Sequence, residues 1–350
     1  MLRSLVRVCP RLLPWLAGVL LFGCTGPDVR LRSKHFYQGS FHNLQPPPAE
    51  FGYGDFLAAR LGWSSNEPIE MSGWPETVAN PPVLPLTPPA AGKTKVTWLI
   101  HSSFLIQAPG LTVLTDPLTS PRVSPFSFAG PKLVRRPAIE LAKLPHLDLV
   151  LISHNHYDHL DVAALQELEA RHHPLFLVGL GTRDYLLSKG LTRVQELDWF
   201  ESVAIGPLQV DFVPAQHFSA RWPWDKDQQL WGGFWLQQGE KSLYFVGDSA
   251  QGRHFSLIRE RYGRPEVMLI PIGAYEPQWF MKVMHLNPVE AVEVHQTMGA
   301  TVSIAMHRES VQLSNESIDA PVEVLNRTLQ QRGLPQSQFL APPIGGSYEF

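Results

Sequence analysis

A short apolar run, Leu149-Val-Leu-Ile-Ser153, leads directly into His154-Asn-His156-Tyr-Asp158-His159-Leu-Asp161, which places three histidines and a carboxylate at what reads as the end of a β-strand. The spacing has a physical consequence. On a strand end, residues two apart project to the same side, so His154 and His156 can reach one cation. Asp158 and His159 come after the turn, point elsewhere and suit a second cation close to the first. Three further apolar runs each deliver one such side chain at the C-terminal end: Val210-Asp-Phe-Val-Pro-Ala-Gln-His217, Ser242-Leu-Tyr-Phe-Val-Gly-Asp248 and Val302-Ser-Ile-Ala-Met-His307. A single core must therefore gather strand ends from position 154 to position 307. Imidazole and carboxylate without thiolate favour zinc or a similar borderline ion, and the more oxygen-rich second set tolerates manganese or iron.

The chain of 350 residues is long enough for one enzyme domain with an added front end, and its net charge of -3 carries no polyanion-binding signature, so a nucleic-acid partner is not expected. From Lys93 the pattern becomes regular. Strands are expected at Lys95–Ile100, Ser103–Gln107, Leu111–Asp116, Leu149–Ser153 and Leu175–Val178, then near Val194, Val203, Val210, Phe234 and Leu243. Helices are expected over Asp55–Leu61, Ala163–His172, Thr182–Ser188, Phe255–Tyr262, Pro288–Met298 and Val322–Arg332. This order points to an α/β four-layer αββα sandwich, because several strands are close enough in sequence for hairpins that a doubly wound parallel sheet would lack.

The N-terminus carries an address. Arg3, Arg7 and Arg11 precede the apolar stretch Leu12–Phe22, which is too short to span a bilayer and reads as a signal peptide. It ends in Leu21-Phe-Gly-Cys24, which resembles a bacterial lipobox with Cys24 as the residue to be lipidated; an ordinary secretory peptide with an incidental cysteine is the alternative. The expected organisation is a signal peptide over 1–23, a Pro-rich membrane spacer followed by a strap over 24–92, and a catalytic domain over 93–350. Cys9 and Cys24 are the sole cysteines, so cleavage before Cys24 removes thiolate from any account of the site. The expected location is the bacterial cell envelope, lipid-anchored on a periplasmic or extracellular face.

Beyond its metal motif, the chain resembles the N-acylphosphatidylethanolamine-hydrolysing phospholipase D family of the metallo-β-lactamase superfamily from about Phe36 to the C-terminus. The resemblance is carried by Thr115-Asp-Pro, Gly130-Pro-Lys with Arg135-Arg136, Ser153 to Asp161, Leu197-Asp-Trp, Trp231-Gly, and above all Ile270-Pro-Ile-Gly-Ala-Tyr-Glu-Pro-Gln-Trp-Phe-Met-Lys282 followed by His285-Leu-Asn-Pro-Val-Glu-Ala291. It implies the metallo-β-lactamase αββα fold and two zinc ions. The first would be held by His154, His156 and His217, the second by Asp158, His159 and His307, and Asp248 would bridge them. It further implies phosphodiester hydrolysis with no protein nucleophile, a phospholipid substrate, phosphatidic acid and N-acylethanolamine as products, and is compatible with a homodimer. Asp116 and Asp161 are candidates to support the ligands, with turn or cap aspartates as the alternative reading.

His285 lies outside the ligand set, where the resembled family keeps a histidine near the substrate phosphate; it would bind that phosphate or protonate the leaving oxygen. Tyr275, Trp279 and Phe280 are expected either to line an acyl-chain groove with Met284 nearby or to belong to the core. Met284 stands where the family commonly has glutamine, and Arg308-Glu309 follows His307 where Trp-Gly-Thr is usual, which brings charges near the second site. A lactonase or other carbonyl hydrolase of the same fold, and a non-catalytic envelope binding lipoprotein, remain alternatives.

Overall fold

A computed structural model describes residues 28–64, 66–68, 73–80 and 86–350. The signal peptide, Cys9, Cys24 and Pro81-Pro82 lie outside the described residues, as does the lipobox reading built on them. None of the helices among the described residues is long and apolar enough to cross a membrane.

The chain begins as a strap laid over the domain. After a 3₁₀ turn over Val29–Arg32, β1 (Phe36–Tyr37) and β2 (Ser40–Phe41) form a hairpin, and α1 spans Tyr53–Arg60. Packing starts at once: Arg32 forms a two-bond fork with Glu201, both bonds 2.9 Å, Ser33 Oγ donates to Asp198 at 3.0 Å, and Phe41 is 1% exposed. The packed strap thus reaches back at least to Arg30, which donates to Gln228 at 2.8 Å.

The first sheet contains β3 (Lys95–Ile100), β4 (Ser103–Ala108), β5 (Leu111–Thr115), β6 (Leu149–Leu151), β7 (Leu175–Gly179) and β8 (Val194–Leu197), with α2 (Val162–His172) and α3 (Arg183–Ser188) between its later strands. The second contains β9 (Ser202–Ile205), β10 (Leu208–Val213), β11 (Gly233–Gln238), β12 (Lys241–Phe245), β13 (Val267–Pro271), β14 (Val302–Met306) and β15 (Phe339–Leu340), interspersed with α4 (His254–Tyr262), α5 (Gln278–Met281), α6 (Pro288–Met298) and α7 (Ala320–Gln331). Finally β16 (Ser347–Glu349) returns to the edge of the first sheet beside β3. Hairpin-linked antiparallel strands give way to parallel ones at β5–β6 and at β12–β13.

Alternation along the strands builds four layers. Leu149 and Leu151 of β6 face Leu243 and Phe245 of β12 across the central core, while Val150 faces α2 and Tyr244 faces α4. Strands buried on both faces need apolar residues at every position, so these runs read as continuous rather than alternating. Sheet on sheet with helices on both outer faces is the αββα sandwich. Most predicted elements are present within a residue or two; the Leu149–Ser153 strand stops at Leu151, and its last two residues already belong to the loop that carries His154 to His159.

Candidate metal centre

The two sheets bring the C-terminal ends of β3, β5, β6, β10, β12 and β14 to one rim, and each leads to a polar side chain there: His101, Asp116, His154, His217, Asp248 and His307. Three of these, His101, Asp116 and His307, take left-handed backbone angles, φ +48°, +32° and +57°. Non-glycine residues pay for that conformation, and the cost is met where the turn is over-determined by its surroundings. Gly273, after β13, could not be anything larger, since a Cβ there would lie 2.1 Å from the carbonyl oxygen of His307.

Asp248 is the hub. Its Oδ2 lies 3.0 Å from His307 Nε2, 3.1 Å from His159 Nε2, 3.9 Å from His285 Nδ1, and 4.0 Å from both His154 Nε2 and His217 Nε2. On one side, His156 Nδ1 sits 2.8 Å from His154 Nε2 and 3.3 Å from His217 Nε2. On the other, Asp158 Oδ2 lies 3.0, 3.3 and 3.4 Å from His101, His159 and His307. The structure therefore brings all seven residues of the expected ligand set together in two adjoining groups. His101, which the sequence reading did not single out, joins the carboxylate group. It too ends a strand, so the signal that marked His217 and His307 was present for it.

The ring nitrogens facing the cluster are fixed by contacts behind them. His217 Nδ1 is 2.8 Å from the Met284 carbonyl, which can only accept, so Nε2 presents its lone pair inward. Ser153 Oγ donates to Asp116 at 2.6 Å and is left to accept from His154 Nδ1 at 2.9 Å, which turns the His154 Nε2 lone pair inward as well. Asp116 also receives His159 Nδ1 at 2.7 Å. Asn43, from the strap, clamps the backbone of His217, donating to its carbonyl at 2.8 Å and accepting from its N–H at 3.1 Å.

The charges divide in the same way. Burial and neighbouring rings depress His154 well below the ordinary histidine value, His156 to about 3 and His217 to about 4, so these rings are neutral. Against the cost of burial, Asp248 and Asp158 lift His159 well above it and His307 to about 9, while those two rings hold the two carboxylates well below the usual range. His159 Nε2, His307 Nε2, Asp248 Oδ1 and His285 Nδ1 are buried without a hydrogen-bond partner. Buried polar atoms in such number call for a ligand, and nitrogen and carboxylate oxygen converging without thiolate fit borderline divalent cations.

Other predicted site residues have different places. Asp161 is a cap: it accepts the N–H groups of Ala163 and Ala164 to start α2, and those of Thr119 and Ser120 to hold the preceding loop, so it does not support the ligands. His285 is buried beside Asp248, and burial, together with the His217 and His307 rings, keeps it well below the ordinary histidine value. Tyr275 and Phe280 are packed core, while Trp279 is half-buried edge-on to Phe51 and donates its indole N–H to Glu67, and Met284 is half-buried beside them. Trp279 and Phe280 pack on Phe51 and Phe56 of the strap. Arg308 is buried with its guanidinium over Trp98 and paired with Glu309, so its charge is engaged within the fold. Glu316, silent in the sequence, accepts the N–H groups of Ala274, Tyr275 and Glu276 and so fixes the loop leading to His285.

Residues 112–308 match the family described as a beta-lactamase superfamily domain. An uncharacterised protein of Mycobacterium tuberculosis is 32% identical over 334 residues, covering 91% of this chain and 84% of that one. The N-acyl-phosphatidylethanolamine-hydrolysing phospholipase D 1 of Caenorhabditis elegans is 40% identical over 223 residues, 60% of this chain and 62% of that one. Among solved structures, a metallo hydrolase of the archaeon Ignicoccus hospitalis superposes with a TM-score of 0.56 at 20% identity, covering 74% of this chain and 98% of that one.

Proposed function

Since this chain belongs to the metallo-β-lactamase superfamily, we propose that it is a metal-dependent phosphodiesterase of phospholipase D type, hydrolysing N-acylphosphatidylethanolamine or a related phospholipid. The observation that carries the hydrolytic chemistry is one carboxylate oxygen of Asp248 ringed by five histidines within 4.0 Å. The choice of substrate is supported by the likeness to the nematode phospholipase D.

His154, His156 and His217 would hold one zinc ion, and Asp158, His159 and His307 the other, with Asp248 between them. Bound there, such cations supply Lewis acidity and lower the pKa of a coordinated water towards neutrality. The chain's own groups do the rest. Ser153 and the Met284 carbonyl set which ring nitrogens of His154 and His217 carry protons, and so keep their lone pairs aimed inward, while Asp116 orients Ser153 and His159. His285 is neutral in this setting, which favours a hydrogen bond to the substrate phosphoryl group over proton donation as an imidazolium.

The test is turnover of lipid extract by the zinc-loaded protein, followed by mass spectrometry. Phosphatidic acid and N-acylethanolamine are the expected products, and His285→Ala, which removes one hydrogen bond to the phosphoryl group, should lower turnover roughly 10²–10³-fold with metal content intact. Hydrolysis of a lactone or an amide in place of the phosphodiester would move the assignment to a carbonyl hydrolase.

A further inference from the structure

Two loops beside the metal centre, residues 117–132 and 217–230, expose a cluster of large aromatic rings. Phe128 is 79% exposed, Trp224 76%, Phe126 47% and Trp222 39%. The rings pack on one another rather than on the core: Trp222 and Trp224 stack at 5.2 Å between centroids, Phe126 meets Trp222 edge-on at 6.3 Å, and Phe126 lies 5.6 Å from Phe128. Leaving so much aromatic surface contiguous and wet is unfavourable unless something covers it.

Trp222 is also a wall of a cleft of about 380 Å³ whose charged lining includes Arg122, Lys189 and Arg221. The acidic residues of the same surface are turned inward: Asp225 accepts the N–H groups of Arg221 and Trp222 at 2.8 Å, Asp227 accepts that of Ser219, and Asp161 is occupied with its caps. The surface thus combines amphipathic aromatics with a cleft lined by three cations against the single carboxylate of Asp161. Arg221 joins it to the metal loop, donating to the carbonyls of Asn155 and Leu160 at 2.7 and 3.0 Å with its guanidinium 3.9 Å over the Tyr157 ring.

We propose that this aromatic cluster and its basic cleft form a docking surface for an anionic phospholipid bilayer, the rings entering the interfacial layer and the cations facing lipid phosphates. Tryptophan and phenylalanine beside arginine and lysine are the combination that such an interface favours. The choice of a bilayer over a protein rests on the phospholipid reading above. The surface gives the chain a membrane contact of its own, independent of any acyl group on Cys24, and it lies against the loop that carries four of the metal-site side chains.

The test uses the full chain carrying Cys24→Ser, so that no acyl anchor forms, with vesicles of phosphatidylcholine alone or mixed with phosphatidylglycerol. Co-sedimentation with the mixed vesicles is expected, weaker with the neutral ones and weakened by salt. Adding Phe128→Ala and Trp224→Ala should lower the partition coefficient roughly tenfold or more; both side chains are three-quarters exposed or more, so the fold should stay intact. Both proteins share the same N-terminus, which isolates the effect of the rings. The proposal is overturned if the Cys24→Ser chain ignores anionic vesicles or the ring variant partitions equally. It is also overturned if the variant turns a dimer into a monomer while partition is unchanged, which would assign the surface to a second copy. Binding to these vesicles with no hydrolysis of N-acylphosphatidylethanolamine added to them would leave the docking surface standing and end the phosphodiesterase reading, whereas hydrolysis of the same lipid dispersed in detergent without vesicle binding would do the reverse.

Discussion

The His154, His156 and His217 half of the site and the Asp158, His159 and His307 half share one oxygen of Asp248, yet they hold themselves ready by opposite means. The first half is three neutral rings whose lone pairs crowd together, each depressed by burial. The second is an ion-paired array in which two protonated rings balance two carboxylates. A cation entering the first half displaces no proton, while one entering the second must expel those that His159 and His307 carry. Filling of the first half should therefore depend little on pH near neutrality, and filling of the second should weaken as pH falls.

Asp248→Asn should break the arrangement most severely, because it removes the one group common to both halves. Metal content is expected to fall from two equivalents to one or fewer, and turnover by roughly 10³-fold or more; elemental analysis showing two retained ions would refute the shared-hub account. The next effect concerns the chelated protein. His307 is raised from an ordinary 6.5 to about 9, so its contribution is fully present below about 6.5 and is lost as pH rises through 9. Asp158 and Asp248, depressed, act in the opposite sense and lose theirs as pH falls into the acid range. Thermal melts after chelation should show a loss on the order of 3 kcal/mol on the alkaline side, and a flat alkaline limb would contradict the ion-paired description.

His101→Ala should discriminate between the halves. It removes the ring 3.0 Å behind Asp158, so affinity for the second cation should drop about 10–100-fold with the first unchanged, as equilibrium dialysis would show; equal losses at both would mean the halves are not separable. Smallest of all, Met284→Gln should hold or slightly raise activity. The bond to His217 comes from the residue's carbonyl and survives the change, so a collapse in metal content would show that the Met284 side chain supports the site after all.

Strand ends made the ligand series legible, because a strand buried on both faces leaves an uninterrupted apolar run whose first polar residue stands out. The same rule would have found His101, but Lys95–Ile100 and Ser103–Ala108 are joined by a turn of two residues, His101 and Ser102, and such a turn offers its own reason for a polar side chain. Asp161 was ambiguous for a related reason: a carboxylate that supports a ligand and one that caps a helix occupy the same kind of position before an apolar segment. Asn43 and Glu316 left no trace in the sequence. Each acts by hydrogen-bonding the backbone of a distant loop, and partners at such separation are supplied by the tertiary fold alone.

The hold of Asn43 on His217 also orders how the chain would yield to mechanical load. A pull on the residues ahead of Asp28 first meets the bond of Arg30 to Gln228 and the fork between Arg32 and Glu201, then the β1–β2 hairpin with Phe41 seated in the core, and only after these the amide that braces His217. The early links are exposed or partly exposed polar bonds that break and re-form at little cost, whereas extracting the buried ring is expensive. Tension arriving from the N-terminus is thus absorbed in stages, and the geometry around His217 is insulated until the hairpin itself peels away.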